Sequence, residues 1–425
     1  MPTSTLFVGI DVSEKTNQVC ATNFNQDIFF NKSFANTPDD SELFIQKLIE
    51  TAKANDLEKI EVCLESTGVF HFHIANVLAS DNRLKTYSCK AYPINAKSIA
   101  KYKDSYIELE KHDPGDAFIC ADFVRVGRCK NSQVARDYQK FALQRLTRQR
   151  RNVAVLMVNE KKRCLNNLFL KYSDLIVNSS NESYFNNTFS HTLMHILADY
   201  LTVEDIVQAD YEELIDKVCE YSRNRFNDPK TIAKAIKKMA RDSYRLDKVA
   251  ADALSITLAS QFRLIETYKD EINNLNKEIE RLIKGLNSNY FNILTSVPGF
   301  GLICAAGIIA EIEDISLFKN SAHLASYGGY RWKRKQSGNF ESEHTKQANA
   351  SNTYFRYYIT EATSHLVKYN SEYNVFFYKK YNEATKNQYK RALVLTTRKC
   401  IRLIFGLLRR NQLFDHNRHL DTSTV

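Results

Sequence analysis

Between Arg128 and Val297 the chain carries one glycine, Gly285, and one proline, Pro229. Glycine and proline are the residues that end helices, so a stretch this long without them folds mainly as helix. The other glycines divide into two groups, four in residues 1–127 and seven from 299 to 406. That asymmetry cuts the 425-residue chain into three parts. Each part is long enough to bury a core.

The first part reads as α/β. LFVGIDVS (6–13), NQVCATNF (17–24) and DIFFNKSFA (27–35) are β-branched or aromatic runs separated by polar pairs, which predicts three sequential strands with tight turns. Thr37 before Pro38 forms an N-cap followed by proline at the first helical position. Leu43, Phe44, Leu48 and Ile49 give that helix an apolar stripe. IEVCLES (60–66) predicts a buried strand, Gly68 opens a second helix to about Ala79, and KTYSCKAY (85–92) predicts a further strand. That order places helices over a central sheet.

In the middle, Leu254, Leu258, Ile265, Tyr268, Ile272, Leu275, Ile279, Leu282 and Leu286 keep 3–4 spacing with one gap. This is a heptad seam, suited to a coiled coil or a long helical hairpin. Residues 136–163 hold Arg136, Lys140, Arg145, Arg148, Arg150, Arg151, Lys161, Lys162 and Arg163 against only Asp137 and Glu160. A solvated helix face could look the same. The net charge of +10 favours a polyanionic partner, so the stretch, with Arg145, Arg148, Arg150 and Arg151 at its centre, is read as a nucleic-acid contact. His191 and His195 are four apart in HTLMH, but no glutamate follows the first, so the metalloprotease pattern fails.

The last part opens with SVPGFGLICAAGIIAEI (296–312). Gly299 and Gly301 before a small-residue helix suit a helix-hairpin-helix turn, whose backbone N–H groups approach a phosphate. SNTYFRYYITEATSHLV and YKRALVLTTRKCIRLIFGLLRR then predict two long amphipathic helices, the second strongly basic.

No run of about 20 apolar residues crosses a membrane. The start, MPTSTLFVGIDVSEKT, has no signal-peptide pattern. The nine cysteines show no closely spaced zinc-binding pair and are read as reduced thiols of a cytoplasmic protein.

Carboxylates carry the chemistry. Asp11 sits inside the apolar strand GIDVS and Glu65 ends the apolar strand VCLES; both are costly to bury unless a cation is near. Asp113, Pro114 and Asp116 in KHDPGDA form a helix start with two acids on one face. Asp113 and Asp116 could simply be capping residues. Together with the strand acids they make four oxygen donors suited to Mg²⁺ and to phosphoryl transfer. His71 and His73 lie close by and are read as helix packing.

GIDVSEK, CLESTGVFHFH, HDPGDA, SVPGFGLICAAGIIAEI with FKNSAHLASYGGY, and SG at 337–338 occur in one order. In that order the chain resembles the DEDD transposases of bridge-RNA-guided insertion sequences. The resemblance covers roughly 1–128 and 290–415. It implies a RuvC-like (RNase H-like) α/β catalytic domain at 1–128, a helical and coiled-coil region at 129–289, a mostly α transposase domain at 290–415 and a tail at 416–425. It implies that Asp11, Glu65, Asp113 and Asp116 bind Mg²⁺ and that Ser337 is the nucleophile, with Ser342 in reserve. Arg331, Lys333, Arg334 and Lys335 would hold the scissile phosphate beside it. The expected partners are donor and target DNA, a guide RNA and further copies of the chain, as a homodimer or homotetramer with composite sites. Two departures stand out. His112 replaces a usual threonine, and RWKRK replaces a proline-containing stretch ahead of the serine. The alternatives are a RuvC-like nuclease or junction resolvase using water, and a non-catalytic nucleic-acid-binding protein.

Overall fold

The computed structural model describes residues 2–66, 68–106, 113–129, 138–177, 187–200, 202–286, 288–332, 336–337, 340–341 and 351–415. The chain divides into two compact units, Met1–Tyr138 and Gln139–Val425.

The first unit is built on a five-stranded sheet of β1 (Thr5–Val12), β2 (Thr16–Thr22), β3 (Ile28–Ala35), β4 (Lys59–Ser66) and β5 (Lys90–Asn95), in the order β3-β2-β1-β4-β5. The first three strands form an antiparallel meander. β4 and β5 then run parallel to β1, which requires crossovers. These contain α1 (Pro38–Ala54), then α2 (Phe72–Ser80) and α3 (Asn82–Lys85). α4 (Ala96–Lys103) and α5 (Asp113–Arg125) follow. This is the strand order of an RNase H-like fold, as expected from the sequence. Thr37 caps α1 by accepting from Asp40 N–H, with Pro38 in the first turn.

The last strand begins five residues later than predicted. Leu84 and Lys85 close a short helix, and Ser88 turns the chain at φ 46°, so pairing starts only at Lys90. Pro93 is tolerated within it because β5 is an edge strand. The second helix likewise starts at Phe72 rather than at Gly68.

Side chains alternate along a strand, so each face of the sheet has its own core. Leu6, Val8, Ile10, Val62 and Leu64 pack with Phe44, Leu48, Ile74 and Leu78 of α1 and α2. Phe7 and Cys63 lie on the opposite face with Ile119, Cys120 and Phe123 of α5.

The second unit is helical apart from one short hairpin among its described residues. It begins with α6 (Tyr138–Lys171), 34 residues without a glycine or proline. α7 (Ser173–Val177), α8 (His191–Asp199), α9 (Val203–Gln208), α10 (Tyr211–Ser222) and α11 (Pro229–Asp242) are short. α12 (Lys248–Gly285) is again long, 38 residues. Then come α13 (Asn289–Thr295), α14 (Leu302–Ile312), α15 (Ser321–Tyr327), the hairpin β6 (Gln336–Ser337) and β7 (Phe340–Glu341), α16 (Thr353–Tyr369), α17 (Ser371–Asn382) and α18 (Gln388–Arg410).

Four side-chain hydrogen bonds join α6 to α12: Arg150 to Asn276, Gln261 to Glu160, Asn167 to Gln261 and Lys171 to Ser255. Numbers rise on one helix as they fall on the other, so the two run antiparallel. The seam of α12 therefore finds partners within the chain. Leu258 and Ile265 join a core with Cys164, Leu168 and α8 to α11. Ile279 joins a second core with Leu143 and α13 to α18. The two long helices thus tie two cores into one unit.

Candidate active site

The parallel pairing of β1 with β4 runs from Thr5↔Lys59 to Ile10↔Leu64. The next residue on each strand is Asp11 and Glu65. They stand side by side at the carboxyl ends of adjacent strands, and alternation puts both on the face of Phe7, Gly9 and Cys63. That is the face α5 covers.

Gly9 explains how closely α5 approaches. A Cβ there would lie 2.0 Å from the Ala117 carbonyl oxygen and 2.2 Å from the Ala121 nitrogen. Only glycine lets the helix backbone sit on the strand. Asp116 immediately precedes Ala117, and Asp113 opens the helix. Register therefore sets Asp11 and Glu65 on the sheet face that α5, the helix carrying Asp116, covers. Asp116 accepts an ion pair from Lys103 at the end of α4.

A third acid of α5 holds the helix in place. Asp122 is 2% exposed and accepts from Tyr102 and Tyr106 hydroxyls, from Gln26 at 2.7 Å and from Arg125 at 2.7 Å. Burial pushes its pKa up, but these four donors outweigh burial and leave it below the usual range. Sequence reading passed over Asp122. A charge inside the apolar run FICADFV carries the same signal that singled out Asp11. His71 is buried and bonds Ser66, consistent with a packing role.

In the second unit, Ser337 lies in β6 and pairs with Phe340 of β7. Lys333, Arg334, Lys335 and Ser342 lie outside the described residues, and Arg331 is exposed. The ends of the segment carrying the serine are clamped together. Asn352 N–H donates to the Tyr327 carbonyl at 2.8 Å. Asn352 also donates to the Glu311 carboxylate and to the Tyr327 hydroxyl, both at 2.6 Å. Glu311 is 2% exposed and receives two bonds from Arg148 at 2.7 and 2.8 Å. Arg398 donates to the Tyr330 carbonyl and lies over the Trp332 ring at 5.8 Å.

This network places the arginines of α6. Arg148 is bidentate to Glu311, Arg150 donates to Asn276 and Arg151 stacks on Tyr354 at 5.2 Å. All three are half-buried and engaged with other side chains, and Arg145 is the exposed member of the set. Gly299 also has an internal reason. Its φ is +82°, and a Cβ would lie 2.7 Å from the His365 backbone carbon of α16. Gly301, at the start of α14, has open space around it.

The first unit thus has an RNase H-like sheet with Asp11 and Glu65 level at the ends of adjacent strands, and a largely helical second unit follows it in the chain. A DEDD transposase model of the IS110 type matches residues 8–172, and the model described as Transposase IS116/IS110/IS902 family matches residues 291–378. The chain belongs to this family of transposases, enzymes that cut and join DNA. Comparison with curated proteins returns no match. Among the described residues no helix is long and apolar enough to cross a membrane.

Proposed function

We propose that this transposase is guided by RNA and cuts DNA through Ser337, at a site where Asp11, Glu65, Asp113 and Asp116 hold Mg²⁺. One observation carries the reading: the register that sets Asp11 beside Glu65 on the face covered by α5. Carboxylates are hard oxygen donors, and this donor set fits Mg²⁺ rather than a softer ion. The Lys103 ion pair on Asp116 fits the same picture, since a cation already offsets one of the acids. When bound, Mg²⁺ supplies positive charge against the phosphate oxygens during transfer.

The protein's own part is the attack. The Ser337 oxygen bonds to phosphorus, the bond from phosphorus to the leaving-strand oxygen breaks, and the serine proton ends on that oxygen. Arg331, Lys333, Arg334 and Lys335 hold the scissile phosphate. Arg145 contacts nucleic acid along α6. The net charge of +10 supports polyanionic partners, with a guide RNA among them. The active form is a cytoplasmic homodimer or homotetramer.

A serine that attacks phosphorus leaves a protein–DNA adduct that survives denaturation. Wild type with labelled, nicked substrate and guide RNA should give that adduct on a denaturing gel, and Ser337→Ala should not. An adduct lost only in Ser342→Ala moves the nucleophile five residues on. Cleavage without an adduct in any variant identifies a nuclease that uses water. An adduct formed equally well without RNA removes the guide from the mechanism.

A further inference from the structure

We propose that His191 and His195 of α8 and Glu266 of α12 form a binding site for one divalent transition-metal ion of the Zn²⁺ type. The ion would clamp the short helices of the second unit to the long one. The site is separate from the carboxylates of the first unit and independent of the reading given for them.

The geometry begins with the spacing. Residues four apart share a helix face, and the two imidazoles stack with centroids 4.1 Å apart and planes at 33°. Both direct Nε2 at one carboxylate oxygen. His195 Nε2 is 3.1 Å from Glu266 Oε1, and His191 Nε2 is 3.8 Å from the same atom. The three ligand atoms lie within 4.8 Å of one another. Around a tetrahedral zinc with bonds of ~2.0–2.1 Å, ligand atoms stand roughly 3.3 Å apart. The observed separations bracket that value, so small side-chain rotations complete the shell.

A second contact orients the first imidazole. His191 Nδ1 is 3.3 Å from the Tyr221 carbonyl oxygen at the end of α10. A carbonyl only accepts, so Nδ1 is the donor in that contact and Nε2 is the ring atom turned toward Glu266. A backbone carbonyl that orients a metal-binding histidine in this way is a recurring second layer of such sites. The surroundings are ordered as well. The Tyr221 ring packs 5.1 Å from His195, and its hydroxyl donates to Asp199 at 2.6 Å.

Competing charges are directed elsewhere. Lys269, one turn after Glu266, donates to the Phe189 carbonyl at 2.8 Å. Lys217 pairs with Asp199 and Glu213. The His191 side chain is 55% exposed, so an ion has an entry path and a water can take the fourth position. Two imidazoles and one carboxylate select Zn²⁺, Co²⁺, Ni²⁺ or Cu²⁺ over Mg²⁺. Thr192, not a glutamate, follows His191 in the sequence, so the metalloprotease base is missing and the role assigned is structural.

The test uses the full chain without a histidine tag, stripped with chelator and titrated with Co²⁺ in excess Mg²⁺, which occupies the carboxylate site. One equivalent should bind with the visible absorption of tetrahedral cobalt, and Zn²⁺ should displace it. Glu266→Gln and His195→Ala should each weaken binding at least ~10-fold. Asp11→Asn should not. Zn²⁺ should raise the thermal midpoint of wild type and leave that of Glu266→Gln unmoved. Unchanged cobalt binding in His191→Ala/His195→Ala, or thiolate-to-cobalt charge-transfer bands showing cysteine ligation, would overturn the proposal. If the double variant does not fold, an unchanged affinity in Glu266→Gln overturns it equally.

Discussion

Acids and bases behave differently in the two units. In the α/β unit, Asp11 and Glu65 stand level on adjacent strands, where their positions in the sequence put them. In the helical unit, three of the four arginines singled out on α6 turn inward, to Glu311, Asn276 and Tyr354. The difference lies in how each element assigns a direction. A strand has two faces, so knowing one residue's face fixes every other. A helix offers a continuous range of directions, and a charged residue on it faces water or a partner according to what folds against it. For Arg148 that partner is 163 residues away.

In the proposed mechanism Asp11 serves the chemistry, while Glu311 serves the structure by holding Arg148 and Asn352. Asp11→Asn should lower DNA cleavage by at least ~10³-fold, about 4 kcal/mol of barrier, while the thermal midpoint stays level or rises. Cleavage that persists in this variant, or in EDTA, would refute the first half. Glu311→Ala should leave Arg148 and Asn352 without their acceptor and cost about 3–5 kcal/mol of stability in urea unfolding. A Glu311→Ala protein of normal stability that had merely lost activity would reverse the assignment.

The next expectation concerns the support beneath the acids. Gly9→Ala drives a Cβ into the α5 backbone, so it should destabilise the first unit by ~3 kcal/mol and displace the helix that carries Asp113 and Asp116. Amide exchange within α5 should rise in step. Unchanged stability would mean that α5 moves without cost and does not position the acids.

A pH effect sharpens the contrast from the helical side. Lys171 is 1% exposed, and burial pulls its pKa down to about 8. Its ammonium donates to Ser255 and to the Tyr200 carbonyl. The unfolded value is about 10.4, so between pH 8 and pH 10 the unfolded chain binds more protons than the native one. Stability contributed at this residue therefore rises across that window, on the order of 1–2 kcal/mol, and the burial cost is felt in full below it. Lys171→Met should flatten the rise and be the more stable protein at neutral pH. An unchanged slope would show that Lys171 keeps its charge throughout.

The smallest effect separates the α6 arginines. Arg145→Glu should weaken RNA or DNA binding and reduce the salt slope by about one phosphate contact, with the fold intact. Arg148→Glu should act instead through unfolding, since it faces Glu311. Equal binding losses in two equally stable variants would return Arg148 to the nucleic-acid surface.

What the sequence by itself determined is local. Strand runs, the cap at Thr37, the breaker-free middle and the apolar runs interrupted by Asp11 and Glu65 are properties of neighbouring residues. The mixed sheet and the helical remainder followed from them. The same signal marks Asp122 and Glu311, since a carboxylate in an apolar run needs a partner whatever its role. Tertiary structure alone decided which partner each one has. Asp122 meets two tyrosines, Glu311 meets Arg148 and Asn352, and Asp116 meets Lys103. It also brought Glu266 to His191 and His195, a pairing invisible in HTLMH, because it depends on where α12 returns more than 70 residues later. Periodicity says which way a residue points within its own element; only packing says what stands opposite, because that contact depends on chain closure over distances no local pattern records.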